Sequence, residues 1–475
     1  MNKRLKQLLK ILKELYSIDF IKKIALDTKF VKRDSKITAE IFLSLCLFSG
    51  EDLCRSSLLQ LSTRIGAMED ITISPQALDQ RFNTESVAFL KAIFQQMLEK
   101  QNRILRNDNA LLKSHFKTIK VVDSTTISLP ENLKSTYRGS GGSSSDAAAK
   151  VQLEYELFTG NFIQCDIIEG VSNDADYLPT LEKGIEPNDL HLKDLGYFKA
   201  EHFKYIEECG AYYLSKLKST TAIYVKNDNP DPEIMSNGKV RKDSLYKRID
   251  IEEIVKPLAE GQTIELLDIY IGKITKFKTR LIVTKLTEEC KEKRKGNFLK
   301  IAKRKNKKNI NKDTYWTSIN IYITNISVET IDKEQLHDIY TLRWQIELMF
   351  KIWKSIFKIH DVKRVKLERF QCFLYARLTA LLLTSSIVSI GKKITYDEKR
   401  KEISEIKSFA IVKEFFSEIR GKIFKGELVL FNFLNRIMKR VLRYGKKSTK
   451  RGQKSTYLII ENVRIYESEL VNIAI

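Results

Sequence analysis

YTLRWQIELMFKIWK, residues 340–354, is the stretch on which the reading of this chain turns. Its polar and ionisable members Tyr340, Arg343, Glu347, Lys351 and Lys354 recur at steps of three, four, four and three. Residues three or four apart are neighbours on a helix, so the spacing predicts one stripe down one face. The flanks are apolar: Leu342, Trp344, Ile346, Leu348, Met349, Phe350, Ile352 and Trp353. A helix that is apolar nearly all round is buried, which places Glu347 in a packed site with cations before and after it. Burying a charge is costly unless it is paired or binds a metal. A helix whose stripe simply faces water fits the same charges. The narrow stripe, rimmed by two Trp and a Phe, favours the packed site.

Length and composition bound the rest. At 475 residues the chain has room for roughly three domains with their own cores. With 43% hydrophobic and 30% charged residues it is globular. Lys and Arg number 83 against 60 Asp and Glu, a net charge of +23. That excess favours a polyanionic partner through phosphate neutralisation and counterion release. The same excess also fits compositional drift in a chain rich in Lys and Ile. Cys46, Cys54, Cys165, Cys209, Cys290 and Cys372 form no C-x-x-C pair, and the five histidines lie apart. Reduced core thiols in a cytosolic protein fit better than a disulfide framework or a zinc site. The N-terminal leucines are broken by Lys6, Lys10 and Lys13, unlike a signal peptide. The longest oily stretch, Phe373 to Ile390, carries Arg377 and several Ser and Thr, and reads as a buried helix with no membrane partner.

Along the chain, residues 1–115 read as helical, opening on Leu5, Leu8, Leu9, Leu12 and Leu15. Ser74-Pro75 opens a further helix, Ser as N-cap and Pro in the first turn. Its continuation presents Gln76, Gln80 and Arg81, which suit bases or phosphate. A helix-turn-helix-like unit and a plain helical bundle both fit this region. The character changes at 116: Phe116 to Val122 is β-rich and ends in Asp123. The Gly/Ser run 139–145 reads as a mobile loop, and Thr159-Gly160-Asn161 as a hairpin turn. Neither 139–145 nor Gly445-Lys446-Lys447-Ser448 completes a phosphate-binding P-loop. A short strand, Leu190 to Lys193, ends at Asp194, and a further strand spans Ala211 to Leu217. Three antiparallel strands followed by helix, strand, helix and strand is the order of an RNase H-like fold. Residues 219–318 hold strand-like segments (Thr263 to Tyr270, Thr279 to Lys285) and two basic runs, Lys291 to Lys295 and Lys303 to Lys308. Interleaved with Phe298, Tyr315 and Trp316, these runs suit a DNA-backbone surface. Lys216, Arg294, Lys303, Arg304 and Arg81 are the candidate DNA contacts. Residues 396–475 read as helical and basic, with Lys439, Arg440, Arg443, Lys450 and Arg451.

Tyr340-x2-Arg343-x3-Glu347-x6-Lys354 resembles, residue for residue, the YREK motif of DDE transposases of the insertion-sequence-four family. Asp123-Ser124-Thr125 and Asp194-Leu195-Gly196-Tyr197-Phe198 are similar to that family's first and second catalytic boxes. Taken alone, each aspartate also reads as a turn or capping residue. Lys193 departs from the pattern, where a smaller residue is expected. The resemblance covers residues of about 40 to 395. It implies an α/β fold: an RNase H-like mixed-sheet core (116–218 and 319–395), interrupted by a β-rich basic insertion (219–318). A helical DNA-binding domain (1–115) and a helical basic C-terminal domain (396–475) flank it. It further implies that Asp123, Asp194 and Glu347 hold two Mg²⁺ ions, replaceable by Mn²⁺, with Asp123 bridging. Tyr340, Arg343 and Lys354 would then grip the phosphates of the transposon end. The implied activity is cut-and-paste transposition on terminal inverted repeats and target DNA, by a homodimer in the bacterial cytoplasm at the nucleoid. A domesticated DNA-binding protein and a related metal-dependent nuclease are the rivals. Trp344 and Trp353 suit either a displaced base or packing against the sheet.

Overall fold

The computed structural model describes residues 3–33, 35–48, 53–106, 116–142, 144–228, 234–239, 241–304, 315–448 and 454–460. The N-terminal third begins with six helices: α1 (Lys3–Leu15), α2 (Ile18–Asp27), α3 (Ala39–Phe48), α4 (Leu58–Glu69), α5 (Pro75–Arg81) and α6 (Thr84–Arg106). Strands β1 (Thr118–Leu129), β2 (Ala147–Glu156) and β3 (Asn161–Glu169) follow. Then come α7 (Leu178–Glu182), β4 (Asp189–Lys193), α8 (Ala200–Glu208), β5 (Tyr212–Lys216), β6 (Ile223–Lys226) and β7 (Tyr246–Ile249). Helix α9 (Ile251–Val255) precedes β8 (Thr263–Ile271), β9 (Phe277–Lys285), α10 (Glu288–Arg304) and β10 (Ile319–Thr324). The chain continues through α11 (Lys333–Thr341), α12 (Trp344–Ser355) and the long α13 (Leu367–Lys399). It closes with α14 (Glu405–Glu414), α15 (Phe416–Ile423) and α16 (Glu427–Tyr444).

The fold is mixed α/β, with a ten-stranded sheet in the order β3-β2-β1-β4-β5-β10-β9-β8-β6-β7. The chain divides into two compact units. The first comprises Met1–Leu112, Ser124–Ser172 and Gln345–Ser455; the second comprises Lys113–Asp123, Asn173–Trp344 and Thr456–Ile475. Strand β1 passes from the second to the first between Asp123 and Ser124.

In the second unit β1 pairs in parallel with β4, from Thr118 opposite Asp189 to Val121 opposite Leu192. Strand β4 pairs in parallel with β5, Lys193 opposite Ser215. Parallel neighbours need a crossover connection, which α8 supplies between β4 and β5. Strand β10 then runs antiparallel to β5 on one side and β9 on the other. Strands β8, β6 and β7 continue the sheet antiparallel. The β-rich segment after residue 219 therefore shares the sheet of β4 and β5. Phe203, Tyr213, Ile271, Leu281, Val283 and Ile323 are among its buried core. Asn325 ties the return to the start of β5: its Oδ1 accepts from the Tyr213 amide at 2.9 Å and its Nδ2 donates to the Ala211 carbonyl at 2.8 Å. Lys305 to Lys308, part of the second expected basic run, lie outside the described residues.

The first unit is built around α13. Phe373 to Ile390 falls within it, and 89% of its most apolar stretch is buried inside the protein. The α2–α6 region packs on rings: Phe30 stacks on Phe89 at 5.0 Å and Phe42 meets Phe82 at 5.5 Å. Ser74 caps α5 by accepting from the Ala77 amide at 3.1 Å, with Pro75 in the first turn. In the Gly/Ser run the Gly139 amide donates to the Asp146 carbonyl at 2.8 Å and the Ser144 amide to the Gly141 carbonyl at 3.0 Å; Ser143 lies outside the described residues. Strands β2 and β3 form the expected hairpin. At its turn Gly160 has φ +73°, and its carbonyl accepts from Ser385 Oγ of α13 at 2.9 Å. An added Cβ there would press on Ser389 and Tyr155 at 3.3 Å. Trp353 of α12 is fully buried against Phe162 (5.6 Å) and Phe350 (5.2 Å). Lys450 and Arg451, from the expected basic C-terminus, lie outside the described residues.

Removing a large fully buried ring loses its transfer energy and leaves a cavity. Trp353→Ala is expected to lower stability by about 3–5 kcal/mol, measured by urea denaturation. A loss below about 1 kcal/mol would show that this ring is not a core anchor.

Candidate active site

Parallel pairing sets the site. Asp123 lies two residues beyond Val121, and Asp194 two beyond Leu192, the last pair in the β1–β4 register. Asp194 keeps an extended backbone (φ −86°, ψ 166°) before the turn Leu195–Tyr197. Continuing the register places the two aspartates side by side on strands about 4.8 Å apart, pointing to one face. The β4–β5 register, with Lys193 opposite Ser215, places Lys216 beside Asp194 in the same way. The strand expected to end at Asp123 in fact runs on to Leu129, so three neighbouring strands present Asp123 midway along β1, Asp194 just past β4 and Lys216 at the end of β5. Carboxyl ends of such strands are where open α/β sheets build their sites.

Residues just before α12 complete this edge within the second unit. Arg343, only 6% exposed, sets Nη1 3.7 Å from Asp123 Oδ2. Its guanidinium also lies 5.3 Å from the Trp344 ring and 6.0 Å from the Tyr340 ring. The Tyr340 hydroxyl donates to the Lys193 carbonyl at 3.4 Å, the residue before Asp194. Burial, with Asp194 adding, pushes the Tyr340 phenol well above its ordinary range, so it stays a proton donor. Lys216 Nζ lies 5.6 Å over the Tyr340 ring. Burial lowers the Lys216 ammonium, Arg294 and Arg343 lower it further, and Asp194 opposes them. Asp194, Lys216, Arg294, Tyr340 and Arg343 therefore share one electrostatic neighbourhood.

The stretch 340–354 is not one helix. Helix α11 ends at Thr341, and α12 begins at Trp344. Between them the Leu342 and Arg343 amides donate to the carbonyls three residues back, Ile339 at 3.0 Å and Tyr340 at 3.1 Å. That tightening interrupts the α-helical ladder. It occurs where Tyr340 meets the last carbonyl of β4 and Arg343 meets Asp123 of β1. The stripe is therefore split, Tyr340 on α11 and Glu347, Lys351 and Lys354 on α12.

In the first unit α12 buries Ile346, Met349, Phe350, Ile352 and Trp353. Glu347 and Lys354 are half-buried and Lys351 is exposed, so the carboxylate is not sealed in as its apolar flanks suggested. Burial lowers the Lys354 ammonium. The two tryptophans part company: Trp353 is core, whereas Trp344 is 58% exposed.

Lys193 is almost fully buried, yet it does not crowd Asp194. Successive residues of a strand point to opposite faces, so it shares the face of His191 and is turned away from the aspartates. On that face the His202 Nδ1 lies 2.9 Å from Glu182 Oε1. Burial first, then Lys193, His191 and Lys199, push the His202 imidazole down to about 2. It is neutral at working pH and donates Nδ1–H to the carboxylate. Sequence reading missed this pair, and also Lys120 with Asp189, a buried ion pair at 2.6 Å joining β1 to β4. The available signal was Asp189-Leu-His191-Leu-Lys193, polar at every second position.

Arg294 and Lys303 lie on α10, Arg294 half-buried and Lys303 exposed; Arg304 ends the helix. Arg81 belongs to the first unit, where its Nη2 donates to the Ile37 carbonyl at 3.3 Å. Asp123 and Asp194 offer adjacent hard oxygen donors, chemistry that suits a divalent cation. Among the described residues no three His, Cys, Asp or Glu side chains already form a metal-binding group. Glu347 is carried by the first unit.

Residues 114–383 match the family model described as the transposase DDE domain. The chain belongs to that family of transposases. It is 44% identical over the full length of both chains to the transposase for insertion sequence element IS1151 of Clostridium perfringens. It is 34% identical to the transposase for element IS231F of Bacillus thuringiensis subsp. israelensis, over 93% of this chain and 92% of that one. The structure is also similar to a piggyBac transposase in a synaptic complex with hairpin DNA, at TM-score 0.45 and 9% identity over 94% of this chain and 87% of that one. The protein is thus an insertion-sequence transposase, an enzyme of a family that works with divalent metal ions.

The neutral His202 beneath β4 makes this transposase acid-sensitive. Its pKa is 6.5 when unfolded and about 2 when folded, so on acidification the unfolded chain takes the proton first. Its contribution to stability is therefore unchanged above pH 6.5 and falls below it by about 1.4 kcal/mol per pH unit. Between pH 6.5 and 5 wild type is expected to lose about 2 kcal/mol more than His202→Gln, read from urea midpoints. Parallel pH profiles for the two proteins would refute a buried neutral His202.

Proposed function

We propose that this transposase binds the terminal inverted repeats of its element, cuts the phosphodiester at the element's end, and joins the freed 3′-hydroxyl to target DNA. The observation that supports this most is the alignment of Asp123 and Asp194 on adjacent parallel strands with Arg343 beside Asp123. Order β3-β2-β1-β4-β5, with β1, β4 and β5 parallel, fits an RNase H-like core. In this reading Asp123, Asp194 and Glu347 would hold two Mg²⁺ ions, for which Mn²⁺ would substitute. A bound ion pair supplies an activated water, in-line geometry and neutralisation of the phosphate charge.

The chain's own side chains do the positioning. Arg343 offers a bidentate fork to a phosphate, Lys354 a point charge, and Tyr340 a hydroxyl donor that burial keeps protonated. Lys216, Arg294, Lys303 and Arg304 extend positive charge along the DNA, with Arg81 contacting it from the N-terminal helices. The segments are assigned accordingly: 1–115 to end binding, 116–218 and 319–395 to catalysis, 219–318 to backbone contact, and 396–475 to DNA contact or dimerisation. Cleavage proceeds through a hairpin at the element's end, in a homodimer that pairs two ends at the bacterial nucleoid.

The test is cleavage of an end-bearing duplex in Mg²⁺ or Mn²⁺. Asp123→Ala, Asp194→Ala and Glu347→Ala are each expected to cut at least about a thousandfold more slowly, a loss of about 4 kcal/mol of transition-state stabilisation. Their duplex affinity should stay within a few-fold of wild type. Near-normal cutting by any one variant removes that residue from the catalytic set.

A further inference from the structure

The active edge carries a side chain with no part in the chemistry above. His337 stands on α11 three residues before Tyr340, so the two share a helix face. It is exposed, and its Nδ1 lies 2.7 Å from the hydroxyl of Tyr322, a residue of β10 that is 1% exposed. Tyr322 is opposite Lys216 in the β5–β10 register, and directly opposed residues turn their side chains to one face. A row therefore runs across the sheet: Asp123, Asp194, Lys216 and Tyr322. His337 and Tyr340 close over its far end, where the Tyr322 and Tyr340 rings meet at 5.0 Å.

The hydrogen bond to Tyr322 fixes which imidazole nitrogen faces outward. Burial pushes the Tyr322 phenol well above its ordinary range, against the pull of Arg294, so it keeps its proton and donates. Desolvation on the packed side lowers the His337 imidazole from its ordinary 6.5; Asp338 opposes this, while Arg294 and Lys216 add to it. A neutral ring that accepts at Nδ1 carries its proton on Nε2. Among the described residues Nε2 makes no hydrogen bond of its own. Lys216 and Arg294 are both half-buried, and Arg294 is steadied by its Nη1, which donates to the Ile319 carbonyl at 3.4 Å. An outward N–H beside two held cations suits a phosphate: the cations supply charge and the imidazole a directed hydrogen bond.

We propose that His337 holds a backbone phosphate of bound DNA through its Nε2–H, in the tautomer that Tyr322 sets, alongside Lys216 and Arg294. The proposal rests on the DNA-acting reading above and adds a contact outside it, together with a proton linkage. A phosphate against the ring favours the charged imidazolium, so binding takes up a proton that the free protein lacks. The groups facing His337 are Tyr322 of β10, Lys216 of β5, Arg294 of α10 and Asp338 of its own helix. Of these and His337, the imidazole is the one whose ordinary value lies between pH 6 and 8.

The full-length protein is titrated against an inverted-repeat duplex by fluorescence anisotropy, without divalent metal and at constant salt, from about pH 8 down to about pH 6. Wild type is expected to bind about three- to tenfold more tightly at the lower pH, since each unit of rise in the imidazole value gives at most about tenfold. His337→Asn keeps an oxygen that accepts from Tyr322 and lacks the outward N–H. It should bind a few-fold more weakly than wild type and lose most of the pH dependence, with an unchanged urea midpoint. Tyr322→Phe keeps the ring packing and frees the tautomer; it should weaken binding about twofold and retain the pH dependence. A His337→Asn profile parallel to wild type overturns the proposal, whether its affinity is lower throughout or unchanged. Wild-type affinity in Tyr322→Phe overturns the assigned tautomer. A wild-type protein that does not bind the duplex would instead overturn the DNA-acting reading itself.

Discussion

The hydrogen-bond register that locks β1, β4 and β5 side by side is the constraint from which the active edge follows. A one-residue slip in a strand moves every side chain to the opposite face. In β4 such a slip would exchange Asp194 for Lys193, putting a cation among the aspartates and a carboxylate beneath α7 and α8. Burial opposes this: β4 is buried along its whole length, with Leu190 and Leu192 on one face and His191 and Lys193 on the other. Polar pairing opposes it further. Lys120 donates to Asp189 at 2.6 Å, and Asp189 also accepts from Thr118 and from the Glu186 amide. Displacing one strand would leave two charges buried and uncompensated, a penalty of several kcal/mol. The pair lies on the N-terminal side of the aspartates on both strands, and still fixes where they emerge.

Two carboxylates on neighbouring strands repel, and the protein meets that repulsion with a nearby arginine. Arg343 reaches Asp123 from the short break between α11 and α12. Tyr340, on α11 ahead of that break, donates to the carbonyl of Lys193 in β4. The tightened turn lets two consecutive elements serve different duties. Helix α11 anchors to the strand ends, while α12 buries Trp353 in the aromatic packing of the first unit. The chain also passes from one compact unit to the other after Trp344, the first residue of α12, and within β1 between Asp123 and Ser124.

Local chemistry made much of this legible in advance. Ser74-Pro75 caps a helix because the hydroxyl and the missing amide act within one turn. Thr159-Gly160-Asn161 turns a hairpin because only Gly accepts that backbone without strain. Asp194 stands just past the end of β4 because the alternating apolar run stops there, whereas β1 continues through Thr125, Thr126 and Ile127 to Leu129, beyond the point where the sequence suggested it would end at Asp123. Spacing alone brought out Tyr340, Arg343, Glu347 and Lys354, since periodicity survives in a bare sequence. The same periodicity suggested one continuous helix, because it cannot register a hydrogen bond that moves from the fourth residue back to the third.

Pairing across long separations was decided by the folded chain. Lys120 meets Asp189 across 69 residues and Arg81 meets Ile37 across 44. Tyr340 reaches the carbonyl of Lys193 across 147. Composition counts such charges and cannot say which of them face one another. The sequence by itself determined the elements, the residue types and the family resemblance, all of which rest on neighbours within a few positions. Only tertiary structure determined which face each strand shows, where Arg343 ends, and that His337 meets Tyr322 beside Lys216. Those outcomes depend on desolvation and on register between segments, and both exist only once the distant segments are in contact.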